Sequence, residues 1–154
     1  MSFQATFESL NLELPPAPKA IGLYKPVIVV GDLAYTSGHG PLQADKTLIT
    51  GKVGDTMTAE EGYAAAHQTG LATLATLIEN FGSLDRIVRL VKTFGLVNAT
   101  PDFTDHPAVI NGFSQLMKNV FGDDAGIAAR SAVGAGSLPV GMSVEVEAVF
   151  QIKP

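Results

Sequence analysis

The last strand-like stretch constrains this chain more than any other feature. From Met142 to Ile152 the residues alternate: Met142, Val144, Val146, Ala148, Phe150 and Ile152 fall on one side, and Ser143, Glu145, Glu147, Val149 and Gln151 on the other. Side chains of an extended strand point to opposite faces with a period of two, so this pattern predicts a strand with one face in a core and one face turned to polar surroundings. Such a strand cannot bury its apolar side alone. It needs partner strands to form a sheet, and the sheet needs a second layer to cover it.

Two helical segments can supply that layer. Thr58-Ala59-Glu60-Glu61 offers a Thr hydroxyl to cap an early N–H and a Glu at capping-box spacing, and Gly82 ends the segment after Phe81. Within it Tyr63, Ala66, Gly70, Leu71, Leu74, Leu77, Ile78 and Phe81 recur at three- and four-residue steps, the spacing of one apolar stripe. A second helix is predicted from about His106 to Phe121, with Val109, Ile110, Phe113, Leu116, Met117 and Val120 on one face and Gly122 as its stop.

Further strands are readable between these helices. Pro26 to Val30 and Leu33 to Ser37 flank Gly31-Asp32, a hairpin signal. Ile87 to Val97 is rich in Val, Leu, Thr and Phe and lies between two breaks. Leu14-Pro15-Pro16-Ala17-Pro18 cannot continue a helix or a sheet interior, which sets residues 1–17 apart as an N-terminal extension of one domain spanning residues 1–154. The expected fold class is α+β, with two helices packed on one face of a mixed sheet.

Composition narrows the partners. Only 16% of the residues are charged against 46% hydrophobic, so a chain with so little polar surface is expected to cover part of it with another subunit. A net charge of −5 with scattered Lys and Arg disfavours nucleic acid, whose phosphates are held by clustered cations. Arg86, Arg89 and Lys92 are the closest cluster and read as a solvated edge. The absence of cysteine excludes disulfides, thiolate metal sites and a Cys nucleophile. Met1 to Pro16 carry Glu8 and Glu13 and no continuous apolar run, so they read as neither a signal peptide nor a membrane span, and a cytoplasmic protein without a membrane partner is expected.

Few side chains have reactive potential. The three histidines, His39, His67 and His106, accompany no metal-binding spacing, so no metal site is expected. His39 lies in Thr36-Ser37-Gly38-His39-Gly40-Pro41, at a strand end where pockets often form. Gly38 and Gly40 either ease a turn or let a ligand approach the main chain, with the Ser37 hydroxyl beside them. Arg130 stands in the neutral run Ile127 to Gly134 and must find an anion or snorkel. Glu145 or Glu147 could pair with it structurally, or its planar fork could bind a substrate carboxylate.

Arg130-Ser131-Ala132-Val133, continuing through Ser137-Leu138-Pro139-Val140-Gly141 to Met142–Ala148, resembles the C-terminal signature of the Rid (YjgF) family. Ala20-Ile21-Gly22-Leu23-Tyr24 is similar to the family's N-terminal "AIGPY" element, Tyr35–Pro41 to its "TSGQ-P" strand end, and Ala108–Asn111 to the segment carrying its helix asparagine. The matches run in order from about Pro18 to Ile152. His39 replaces the usual glutamine, Leu23 a proline, and Ala132 a frequent cysteine.

The resemblance implies a chorismate-mutase-like fold, a homotrimer with active sites between subunits, and no cofactor. It implies hydrolysis of small enamine or imine carboxylates to 2-keto acids and ammonia. Arg130 would then hold the carboxylate and Glu145 would hold or activate water. Tyr24, Ser37, Gly38, His39, Asn111 and the main chain of Ala132 would line the substrate site. Two other functions stay open: the ribonuclease or translation-inhibitor activity with which such relatives are labelled, and a non-catalytic trimer that binds a small metabolite.

Overall fold

The computed structural model describes all 154 residues. Its elements are α1 (Phe3–Ser9), β1 (Val27–Val30), β2 (Leu33–Thr36), α2 (Ala59–Phe81), β3 (Ile87–Asn98), α3 (His106–Gly126), β4 (Ala129–Ala135) and β5 (Val144–Ile152), with short 3-10 turns at Leu84–Arg86 and Pro139–Gly141. The strands form one sheet in the order β1-β2-β5-β3-β4. All neighbours are antiparallel except β3 and β4, which are parallel and joined by α3 as a crossover. The fold is α+β, as the alternation and the two helical periods imply.

β5 occupies the centre, paired with both β2 and β3. Val144, Val146, Ala148, Phe150 and Ile152 are buried under the helices, and Glu145, Glu147, Val149 and Gln151 point to the opposite, open face. The β1–β2 hairpin closes at Val30↔Leu33, with Gly31 at φ 62 in the first of its two loop positions, a conformation that glycine adopts without steric cost. Register carries Ile28 and Tyr35 to the same side as Val149, and Val133 beside Leu96 to the same side as Glu145. Ile28, Tyr35 and Val133 remain 49%, 40% and 39% exposed. One sheet face is therefore apolar in part and uncovered within a single chain.

Both ends of α2 follow the sequence. The Thr58 hydroxyl accepts from Glu61 N–H at 3.1 Å, and Gly82 closes the helix in the left-handed region, its N–H bonded to Ile78 C=O. The predicted stripe is too narrow, because α2 packs against both α3 and β5 and every residue from Thr69 to Leu77 is buried. Thr69 and Thr73 tolerate burial by donating their hydroxyls to carbonyls one turn earlier, at 2.9 and 3.0 Å. Tyr63, placed on the stripe by periodicity, is instead 38% exposed at the end of this contact. Helices α2 and α3 meet closely at Gly112, where a Cβ would lie 2.9 Å from the Tyr63 carbonyl carbon and 3.0 Å from His67 N.

One other boundary differs from the sequence reading. α3 does not stop at Gly122: that residue breaks it with φ 84 and ψ 175, and a further turn runs to Gly126. The segment containing Arg130 is a full strand, β4, aligned by β3 with Thr93↔Arg130 and Gly95↔Ala132.

The N-terminal segment is tied to the domain. Phe7 enters the core and Phe3 meets Phe121 edge to face at 5.1 Å. Gln4 locks α1 reciprocally, its N–H donating to Asp85 Oδ1 at 2.9 Å while its Oε1 accepts from Leu84 N–H at 3.0 Å. The Asp85 carboxyl is held below its ordinary pKa, first by the Gln4 N–H. No helix is long and apolar enough to cross a membrane.

Candidate active site

The eight candidate residues divide between the two faces of the sheet. Arg130 lies across β3 from Ala148, since Arg130 pairs with Thr93 and Thr93 with Ala148, so its side chain shares the helix-covered face. Its Nη1 donates to Asn111 Oδ1 at 2.8 Å and to Ser114 Oγ at 3.2 Å, both on α3. No carboxylate lies within ion-pair distance, and Nε and Nη2 make no protein hydrogen bond and are not sealed from solvent. The guanidinium is thus fixed by two neutral partners and keeps its charge and remaining donors for something else. It borders a cavity of about 480 Å³ with Tyr63, Thr93, Asn111 and Ser114 among its lining. Ser114, three residues beyond Asn111 on one helix face, was not among the candidates, although that spacing could have marked it.

Glu145 faces the other way. Its carboxylate lies against Gly38, where a Cβ would be 2.9 Å from Glu145 Cδ. It is half-buried, makes no hydrogen bond to protein, and has its pKa raised by burial and then by Glu147 on the same strand face. A second cavity of about 560 Å³ brings it together with Tyr24, Ser37, Gly38 and the main chain around His39. The Ser37 hydroxyl donates to Lys25 C=O at 2.5 Å and Ser37 N–H to Pro26 C=O at 2.8 Å, which pins the segment that carries Tyr24.

The His39 ring is turned away from this cavity into the helix layer. It is 3% exposed, with Nδ1 at 2.7 Å from Ser37 C=O and Nε2 at 2.8 Å from Thr76 Oγ1. Nδ1 carries a proton to meet the carbonyl, and Nε2 can then accept from the threonine hydroxyl, the arrangement of a neutral ring. Burial lowers its pKa in the same sense. Its main chain bridges to Val146 in both directions, at 2.8 and 2.9 Å, so the residue anchors the strand end behind Gly38. Ala132 borders neither cavity and packs its methyl against the core. No three His, Asp or Glu side chains converge where they could hold a metal ion.

The sequence model of the family described as "YjgF/chorismate mutase-like, putative endoribonuclease" matches residues 5–148. The chain belongs to the YjgF family. A protein of Shewanella oneidensis whose crystal structure carries the same endoribonuclease label is 30% identical, with a TM-score of 0.93 over 99% of this chain and 100% of that one. Protein TCP17 of Trypanosoma cruzi is 36% identical over 148 residues, 96% of this chain and 92% of its own. The RutC family protein y4sK of Sinorhizobium fredii is 30% identical over 138 residues, 88% of this chain and 92% of its own. Against this YjgF frame, the arginine with free donors and the perturbed glutamate stand on opposite sides of one sheet, so one chain does not bring them together.

Proposed function

We propose that this YjgF protein hydrolyses small enamine or imine carboxylates to 2-keto acids and ammonia. The observation that carries the reading is Arg130: anchored by Asn111 and Ser114, it leaves unused N–H donors at a cavity with no protein anion to meet them. A planar fork with two free donors suits a carboxylate. The imine carbon is already electrophilic. Water adds to C=N, the C–N bond breaks, and the nitrogen leaves as ammonia while the carbon keeps the oxygen. The protein need only orient the carboxylate and position the water.

Glu145 is the group proposed to hold that water. Burial and the neighbouring Glu147 raise its pKa, which favours a carboxyl that can take up and return a proton. Because Arg130 and Glu145 occupy opposite sheet faces, the reading requires Glu145 from a neighbouring copy, and the uncovered apolar face with Ile28, Tyr35 and Val133 supports a homotrimer. Tyr24, Gly38 and the Ser37 segment would then form the wall that one subunit lends to the next.

The test generates 2-aminoacrylate and 2-iminobutyrate with a dehydratase and measures keto-acid release with and without the protein. Acceleration that Arg130→Ala abolishes and Arg130→Lys largely loses is the expected result. Losing the clamp should cost about 2–5 kcal/mol, or roughly thirtyfold or more in affinity for simple keto acids. No acceleration with either compound overturns the reading. Cleavage of an RNA oligonucleotide instead would favour the label its relatives carry, and keto-acid binding without turnover a metabolite-binding trimer.

A further inference from the structure

The Arg130 cavity contains a second cation. Lys118 borders the same space, on the face of α3 that also presents Asn111, Ser114 and Gln115. These positions follow at steps of three, one and three residues, which is one side of a helix. The lining includes Arg130 and Lys118 and no Asp or Glu. In a chain of net charge −5, a concave site with two cations and no acid is a local focus of positive potential. One carboxylate satisfies only the first of them.

We propose that Lys118 is a specificity residue for a second anionic group, so that the preferred ligand is a small dicarboxylate and, for the reaction, an imine or enamine bearing two carboxylates. This inference rests on Arg130 acting as the carboxylate clamp. The spacing is suitable: Lys118 lies one turn, roughly 6 Å of rise, beyond Ser114, which touches the guanidinium, and its long stem covers the remaining offset for a diacid about four or five carbons long. The same lining includes polar Gln115 and apolar Ile127 and Ala128, a mixture that suits a short carbon chain ending in two carboxylates.

Lys118 has one protein partner, Asp123, at 3.5 Å. Asp123 is outside the cavity and its side chain is 78% exposed. Exposed pairs of this kind are weak, so the ammonium can turn to a ligand at little cost. Arg130 has no such alternative, which orders the two contacts: Arg130 takes any carboxylate, and Lys118 discriminates between ligands with one and with two.

The experiment compares affinities of the full-length protein at low ionic strength for propionate and 2-ketobutyrate against succinate and 2-oxoglutarate, by calorimetry. The diacids should bind about tenfold more tightly, the effect of one charge-assisted contact. In Lys118→Met, which keeps the apolar stem, the ratio between the two classes should collapse toward one, and Lys118→Arg should restore most of it. Equal wild-type affinity for both classes, with binding still lost in Arg130→Ala, overturns this inference and leaves the clamp intact. A diacid preference that survives Lys118→Met also overturns it. Absence of carboxylate binding in any form of the protein overturns the clamp and this inference together.

Discussion

Gly38→Ala tests the proposed water site without touching a charged group. A Cβ at position 38 would lie 2.9 Å from Glu145 Cδ and 3.1 Å from Cγ, with Oε1 closer still. Ordinary contact begins near 3.4 Å, so Cδ must retreat by about 0.5 Å and the carboxylate oxygen by about 1 Å. The obstacle is the end of a flexible side chain, and a shifted rotamer costs on the order of 0.5–1.5 kcal/mol, so the fold should survive with its thermal midpoint lowered by only a few degrees. A catalytic group misplaced by about 1 Å can lose roughly a hundredfold in rate. We expect keto-acid release by Gly38→Ala to fall by about that factor while 2-ketobutyrate, held by Arg130, still binds. Because the loss is transmitted through Glu145, adding Gly38→Ala to Glu145→Gln should cost little more. Near-normal turnover in Gly38→Ala, or an equal loss in the Glu145→Gln background, would refute the reasoning.

Three further outcomes follow from other contacts. Glu145→Gln should lower turnover by about a hundredfold or more, yet raise the thermal midpoint near neutral pH. The folded-state pKa of Glu145 is raised, so the wild type loses stability as pH climbs from the unfolded value through the folded one, and the advantage of Gln should vanish below that window. Gly112→Ala should destabilise by about 1–3 kcal/mol and lower the midpoint by roughly 2–10 °C in a thermal melt, because its Cβ would press on Tyr63 and His67 backbone that cannot swing aside. Asp85→Asn should speed amide exchange in the first turn of α1 with little change elsewhere. The Asp85 pKa is lowered, so in the wild type this docking is present above the ordinary Asp value and lost as pH falls below it.

The sequence exposed what local periodicity controls. β5 is legible because one of its faces is buried throughout, and α2 because Thr58 and Gly82 cap both ends. The extent and pairing of β4 are not, since Ala129 to Ala135 contains small residues and no clean alternation; they are set by α3, which returns the segment beside β3. The His39 ring was equally hidden, as its Nε2 partner is Thr76, which belongs to a helix far along the chain. Arg130, Asn111 and Glu145 could be singled out by residue type and resemblance. The cavity to which each belongs could not, because a one-residue shift in the β3–β4 register would move Arg130 to the other face.

That register governs the functional argument. In a single chain, Arg130 has unused donors and no counter-charge, whereas Glu145 pays for partial burial and for the nearby Glu147 carboxylate without a hydrogen bond in return. Partial burial is unfavourable for the Glu145 carboxylate, whereas the free Arg130 donors face a solvent-accessible cavity, and neither group meets the other across the sheet. On the proposed reading the two features have one explanation. The guanidinium awaits the substrate carboxylate, the glutamate awaits water and its proton, and the uncovered sheet face through Ile28, Tyr35 and Val133 is the surface by which one subunit brings its Glu145 to the next subunit's Arg130. A substitution that breaks that surface should therefore remove turnover before it removes carboxylate binding, because Arg130, Asn111 and Ser114 all belong to one chain and Glu145 must be delivered.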